Sequence, residues 1–212
     1  TAKRWAEVTK SVIWQAYGLT ETSPLVSVND YKQTEFTGSV GLPAAYTEIE
    51  IRDESGNALS ETNAVGELCV RGPQVMSGYW KSEVSGLDEN NWFMTGDIAR
   101  IDETGNIFIV DRKKDMIIVS GFNVFPNEVE AVVNEHPAVL ECGCVGVEGE
   151  NSQELVKVFI VLHDEQTATE DEIISFCREK LTAYKVPKHI EFIKEIPKTN
   201  VGKVLRRELK EN

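Results

Sequence analysis

The sequence predicts an α+β protein in two parts, a β-rich first half and a compact mixed second half. Three observations carry that reading. Apolar and polar residues alternate in short runs between residues 38 and 110, the pattern of half-buried strands. Turn signals, Glu54-Ser55-Gly56-Asn57 and Asp102-Glu103-Thr104-Gly105-Asn106, separate those runs. After Asp111 the texture changes to apolar strands interleaved with helical stripes.

Each element follows in order. Residues 3–13, with Trp5, Val8, Val12 and Ile13, fit a helix leading into a short strand that ends near Tyr17, and residues 17–24 read as a loop. Residues 47–51 and 66–70 alternate as strands, and residues 98–101 and 107–110 flank the second turn as a hairpin. A strand at 115–119 precedes a helix opened by Pro126-Asn127-Glu128, where proline suits the first turn and acids suit the positive helix end. That helix runs to about Glu135. Residues 139–147 and 155–162 are apolar strands. Thr169-Glu170-Asp171-Glu172 is a capping box, and Ile173, Ile174, Cys177 and Leu181 form a helical stripe ending near Tyr184. A strand at 190–196 and a short helix at 203–210 close the chain. The boundary falls between Asp111 and Asp115, and the first half reads as an incomplete β-rich piece.

Composition narrows the function. The chain has 212 residues and a net charge of −13, so its surface repels phosphate backbones, and nucleic acid is excluded as a partner. Its 41% hydrophobic and 27% charged content is that of an ordinary globular protein, which excludes disorder and fibrous folds. The four cysteines at 69, 142, 144 and 177 lack metal-ligand spacing and sit beside apolar residues, as reduced core thiols of an intracellular protein do. No apolar run approaches the roughly 20 residues needed to span a bilayer. The chain opens at Thr1, directly into a helical pattern, as expected of a piece cut from a longer chain.

The common nucleotide and hydrolase signatures do not occur; Gly202-Lys203, for example, is followed by Val204 instead of Ser or Thr. His136, His163 and His189 are scattered beside turns as surface residues. Four polar clusters remain: Tyr17-Gly18-Leu19-Thr20-Glu21, Thr95-Gly96-Asp97, Asp111-Arg112-Lys113-Lys114-Asp115, and Pro197-Lys198-Thr199-Asn200-Val201-Gly202-Lys203. Taken singly, each is what an ordinary turn or solvated hairpin tip looks like.

Their joint order and spacing, however, resemble the adenylate-forming superfamily of acyl-CoA ligases, luciferases and peptide-synthetase adenylation domains. The stretches Asn91-Trp92-Phe93-Met94-Thr95-Gly96-Asp97-Ile98 and Asp111 through Glu130, with Gly121 and Pro126-Asn127-Glu128-Val129-Glu130, are most similar to bacterial long-chain fatty acid CoA ligases. The resemblance spans essentially the whole chain. It implies that residues 1–112 are the C-terminal part of a large adenylate-forming domain and residues 113–212 its mobile C-terminal domain.

The resemblance further implies a reaction in two steps. A long-chain fatty acid reacts with ATP and Mg2+ to give an acyl-adenylate and pyrophosphate, and coenzyme A then takes the acyl group and releases AMP. By motif position Tyr17 stacks on adenine with Gly18 beside it, Thr20 contacts phosphate or the acyl carboxylate, and Glu21 holds Mg2+. Asp97 accepts from both ribose hydroxyls and Arg112 adds a contact to the same ribose. Lys203 reaches the substrate carboxylate and α-phosphate during adenylation. Lys114 is the hinge about which the small domain rotates, bringing Gly121, Phe122 and Asn123 to the pantetheine tunnel.

The Ser/Thr/Gly-rich phosphate loop and the large body that forms the acyl tunnel in that family are missing from these residues. The chain alone is therefore expected not to activate fatty acids, and its exposed apolar face predicts dimerisation or domain exchange. A cytoplasmic location, with peripheral contact at the inner membrane through the missing part, follows from the same resemblance. The alternatives are an aryl-CoA ligase, an acyl carrier protein ligase, a luciferase-like enzyme, or a truncated nucleotide-binding module without turnover.

Overall fold

The computed structural model describes residues 2–149, 153–200 and 202–211, so that Val201 of the Pro197–Lys203 motif lies outside the described residues. The chain divides into two compact units, Thr1–Lys113 and Lys114–Asn212, a split that lies between Asp111 and Asp115.

In the first unit, helix α1 (Ala2–Thr9) is shorter than its apolar stripe predicts, because Lys10 takes a left-handed φ of 57° and ends it. Strand β1 (Ala16–Gly18) follows, then a 3-10 turn (Thr20–Thr22) and two strands the alternation did not reveal, β2 (Leu25–Val28) and β3 (Leu42–Pro43). These three strands form one antiparallel sheet. Strands β4 (Glu48–Arg52), β5 (Gly66–Arg71), β6 (Phe93–Ile101) and β7 (Ile107–Arg112) form a second sheet, an antiparallel meander. Its end hairpins turn in the same way: Asp53 Oδ1 accepts from the backbone N–H of Ser55 and Asn57, and Asp102 Oδ1 from those of Thr104 and Asn106. Val26 and Val40 pack with Ile51, Leu68, Val70, Ala99 and Ile107 in a core that joins the two sheets.

A 3-10 turn (Lys113–Asp115) spans the boundary, and the second unit continues into a hairpin of β8 (Ile117–Val119) and β9 (Phe122–Val124). Helix α2 (Pro126–Val133) leads to the long antiparallel pair β10 (Val139–Glu148) and β11 (Glu154–Leu162). Helix α3 (Glu170–Arg178) returns the chain to β12 (His189–Phe192), which pairs parallel with β11, and α4 (Arg206–Glu211) ends it. The sheet is covered on both faces, which explains why β10 and β11 read as nearly continuous apolar runs. Cys144, Val158 and Ile160 pack on one face with Val129, Val133 and Ile173. Val145, Phe159 and Val161 pack on the other with Ile196 and Leu209.

The periodicity overruns three elements here. Helix α3 stops at Arg178, and residues 183–185 form a separate 3-10 turn. Strand β12 ends at Phe192, leaving Ile196 to fill the core as an anchor outside any strand. Residues 203–205 precede α4 because Lys198 and Val204 bridge as a small hairpin. All four cysteines are free and buried.

Candidate functional site

The centre of the first unit is a break in the sheet. Glu67 on β5 pairs with Ile98 on β6, yet Cys69 pairs with Met94, so Thr95, Gly96 and Asp97 bulge out of the ladder. The bulge leaves backbone groups to be satisfied by side chains. Thr95 Oγ1 donates to the Leu68 carbonyl at 2.8 Å and accepts from Asp97 N at 3.1 Å. Gly96, at φ 72°, occupies the left-handed region that glycine enters without strain, and its N–H donates to Glu67 Oε1 at 3.1 Å.

The bulge presents Asp97, whose carboxylate is buried with 5% exposure. Tyr17 Oη donates to Asp97 Oδ2 at 2.6 Å, and Arg112 Nε lies 3.2 Å from Oδ1. Arg112 can reach it because β6 and β7 pair Asp97 directly with Arg112. Burial, reinforced by the bond to Asp97, pushes the Tyr17 phenol far above its ordinary range, so it stays a neutral donor. A carboxylate has about four acceptor sites, so these two partners leave capacity for a vicinal diol.

The turn after β1 gathers the other candidates of this unit. Gly18 lies so close to the chain that a Cβ would stand 1.7 Å from the Pro24 carbonyl oxygen; its small size is required by the turn itself. Thr20 is exposed. The buried hydroxyl is that of Thr22, which accepts from Leu19 N at 3.0 Å and donates to the Pro24 carbonyl at 2.7 Å. Glu21 is tied down twice: its carbonyl accepts from Met76 N at 2.8 Å and its Oε1 accepts from Tyr79 Oη at 2.9 Å. Among the described residues no group of three or more His, Cys, Asp or Glu could hold a metal. One carboxylate fits Mg2+, which is commonly held by one or two carboxylates together with substrate phosphates and water.

In the second unit Ser120 and Gly121 form the two-residue turn of the β8–β9 hairpin, with φ of 51° and 83°, the geometry of a tight hairpin turn. Phe122 stacks on Tyr184 with ring centroids 4.7 Å apart, and Asn123 pairs with Ile118 across the hairpin. Lys114 lies within the 3-10 turn that spans the boundary. Lys203 is exposed at the end of a tight turn in which its N–H donates to Thr199 Oγ1 at 3.1 Å and its carbonyl accepts from Thr199 N at 2.8 Å. It makes no ion pair among the described residues, whereas Lys198 is held by Glu141.

Each unit thus holds its own share of the sequence candidates. The first brings together Tyr17, Asp97 and Arg112, and the second presents Gly121, Phe122 and Lys203 on its surface. Sequence reasoning missed Thr22, Glu67 and Tyr79. The signal for Glu67 was a carboxylate inside an apolar strand, Gly66-Glu67-Leu68-Cys69-Val70, where burial demands a partner.

Comparison with known proteins bears directly on this arrangement. Residues 1–80 match the family model described as AMP-binding enzyme, and residues 128–203 match that described as AMP-binding enzyme C-terminal domain. A long-chain-fatty-acid–CoA ligase of Escherichia coli O157:H7 is 52% identical over 99% of this chain and 37% of its own length. A protein of the same name from Salmonella typhimurium is 51% identical, with the same coverage. The crystal structure of ATP-bound MatB from Rhodopseudomonas palustris superposes with a TM-score of 0.92 at 30% identity, over 99% of this chain and 42% of that one. The chain spans 37% of the length of those two curated relatives.

Proposed function

We propose that the chain, which matches both AMP-binding enzyme models, is the C-terminal part of an AMP-forming ligase that joins a long-chain fatty acid to coenzyme A. The observation that carries the reading is the buried Asp97 carboxylate, held between Tyr17 and Arg112 with acceptor capacity to spare. A nucleoside diol is the ligand such a carboxylate suits, and the neutral phenol and the guanidinium keep it oriented.

In the proposed reaction the fatty acid carboxylate attacks the α-phosphorus of ATP and displaces pyrophosphate. The thiolate of coenzyme A then attacks the acyl carbon and displaces AMP. Asp97 and Arg112 hold the ribose through both steps, and Tyr17 lies under the adenine. Thr20 reaches the phosphate or the acyl carboxylate. Glu21 would hold Mg2+, which would supply positive charge against the phosphates. Lys203 follows the negative charge developing at the α-phosphate, which its lack of an ion pair among the described residues allows. Rotation about Lys114 exchanges Lys203 for the Gly121 turn, where Phe122 and Asn123 flank the pantetheine arm.

The same reading makes the chain alone inactive in fatty acid activation. The outward Leu25, Val28 and Leu42 of the small sheet, each about 40% exposed, support a second copy or the remainder of a longer enzyme as their cover. Peripheral membrane contact belongs to that remainder. No helix among the described residues is long and apolar enough to cross a membrane.

The test is a product assay on the full-length enzyme that carries this sequence, with a long-chain fatty acid, ATP and Mg2+, and with coenzyme A present or withheld. Acyl-CoA and AMP formed only when coenzyme A is present support the ligase. Adenylate without thioester indicates another acceptor, and no turnover with any acid indicates a nucleotide-binding module.

A further inference from the structure

Glu67 lies outside the four polar clusters singled out in the sequence, yet its side chain is only 12% exposed and both carboxylate oxygens are engaged. Oε1 accepts from the N–H of Gly96, the bulge residue next to Asp97, at 3.1 Å. Oε2 pairs with Lys113 Nζ at 2.7 Å, at the last residue of the first unit. The bulge removes the Gly96 N–H from the ladder, and a donor so displaced needs an acceptor from elsewhere. Glu67 supplies it, and Lys113 fixes the rotamer of Glu67.

We propose that Glu67 is a positioning residue for the ribose contact: pinned by Lys113, it holds the Gly96 turn so that the Asp97 carboxylate faces the nucleotide diol. The inference rests on the reading that Asp97 binds the ribose. It ties that contact to the stretch of chain at the boundary between the units. Thr95 alone cannot set the bulge, because its hydroxyl is engaged at Leu68 and Asp97 and leaves Gly96 unserved.

The experiment measures AMP and 2′,3′-dideoxy-AMP binding to the 212-residue chain by calorimetry, with a thermal melt on every variant. Glu67→Leu loses both contacts and is expected to weaken AMP roughly tenfold, the scale of a lost charge-assisted bond. It should leave the dideoxy analogue within about twofold, since that analogue lacks the groups Asp97 holds. Glu67→Gln retains an acceptor for Gly96 and should lose only about threefold, as should Lys113→Met. The double variant Glu67→Leu/Lys113→Met should bind like Glu67→Leu alone, because the pair acts through one group. Equal losses for AMP and the dideoxy analogue, or additive losses at Glu67 and Lys113, would overturn the proposal. Asp97→Asn separates the premise. If it weakens AMP while Glu67→Leu does not, the positioning role fails and the ribose site stands; if the unaltered chain binds AMP no better than the dideoxy analogue, the ribose site fails and the proposal with it.

Discussion

Tyr17 and Asp97, 80 positions apart in the chain, meet through a hydrogen bond of 2.6 Å that joins the small sheet to the meander. Tyr17→Phe removes the donor and leaves Asp97 with Arg112 alone. The expected cost is about 1–3 kcal/mol, seen as a lower melting temperature. The phenol is raised in the folded chain, so its contribution is fully present below the ordinary tyrosine value of about 10 and is lost as pH rises through the folded value. Melts between roughly pH 8 and 11 should therefore fall more steeply for the unaltered chain than for Tyr17→Phe. Parallel slopes would show that the folded chain does not raise the Tyr17 phenol.

Helix α3 offers a test in the second unit. Thr169 Oγ1 accepts from Glu172 N, and the Glu172 carboxylate accepts from Thr169 N at 2.7 Å. Thr169→Ala should cost about 1 kcal/mol. The bonds from the Thr169 backbone and hydroxyl hold the Glu172 carboxyl below its usual range. Its contribution is thus present above the ordinary value of about 4.3 and is lost as pH falls through the folded value. The difference in melting temperature between the unaltered chain and Thr169→Ala should shrink below about pH 4, and a pH-independent difference would count against the box.

Local chemistry made these elements readable, and distance along the chain hid the others. Asp53 and Asp102 write their hairpins into four or five consecutive residues, and Thr169 with Glu172 writes a helix start. Strand β3 is only two residues long, and β9 is held mainly by its tight turn and β8, so neither shows an alternation long enough to detect. At the site, Thr95-Gly96-Asp97 by itself read as an ordinary turn, and Asp97 stood out only through the family resemblance. Its burial beneath Tyr17 and the two bonds of Glu67 were not, because a register shift between strands creates them and no spacing records such a shift.

The cysteines should be chemically quiet. Burial pushes the thiols of Cys69 and Cys177 up to about 11, and burial together with the nearby Glu130 pushes Cys142 higher still. Since the thiolate is the reactive form, an aromatic disulfide reagent at about pH 8 should label the native chain far more slowly than the unfolded one. Unfolding in denaturant should release all four thiols. Rapid labelling of one native thiol would identify a locally open segment around it.

Lys203 and Gly121 should divide the two proposed half-reactions in the full-length enzyme. If Lys203 supplies a mobile charge to the developing anion as proposed, Lys203→Ala should slow adenylate formation by about 10²–10³, the range for removing one electrostatic stabiliser. Thioester formation from acyl-adenylate supplied ready-made should be nearly unaffected. Gly121→Ala should do the reverse. A Cβ at that position meets nothing within 4 Å among the described residues, so its direct cost is backbone strain at φ 83°, about 1–2 kcal/mol. Any larger loss, confined to the coenzyme A step, must then come from the ligand passing the turn. Lys114→Pro tests the proposed hinge and should depress one half-reaction far more than the other. Rapid-quench assays of each step, run separately, check all three variants, and equal losses in both steps for Lys114→Pro would remove the hinge from the mechanism.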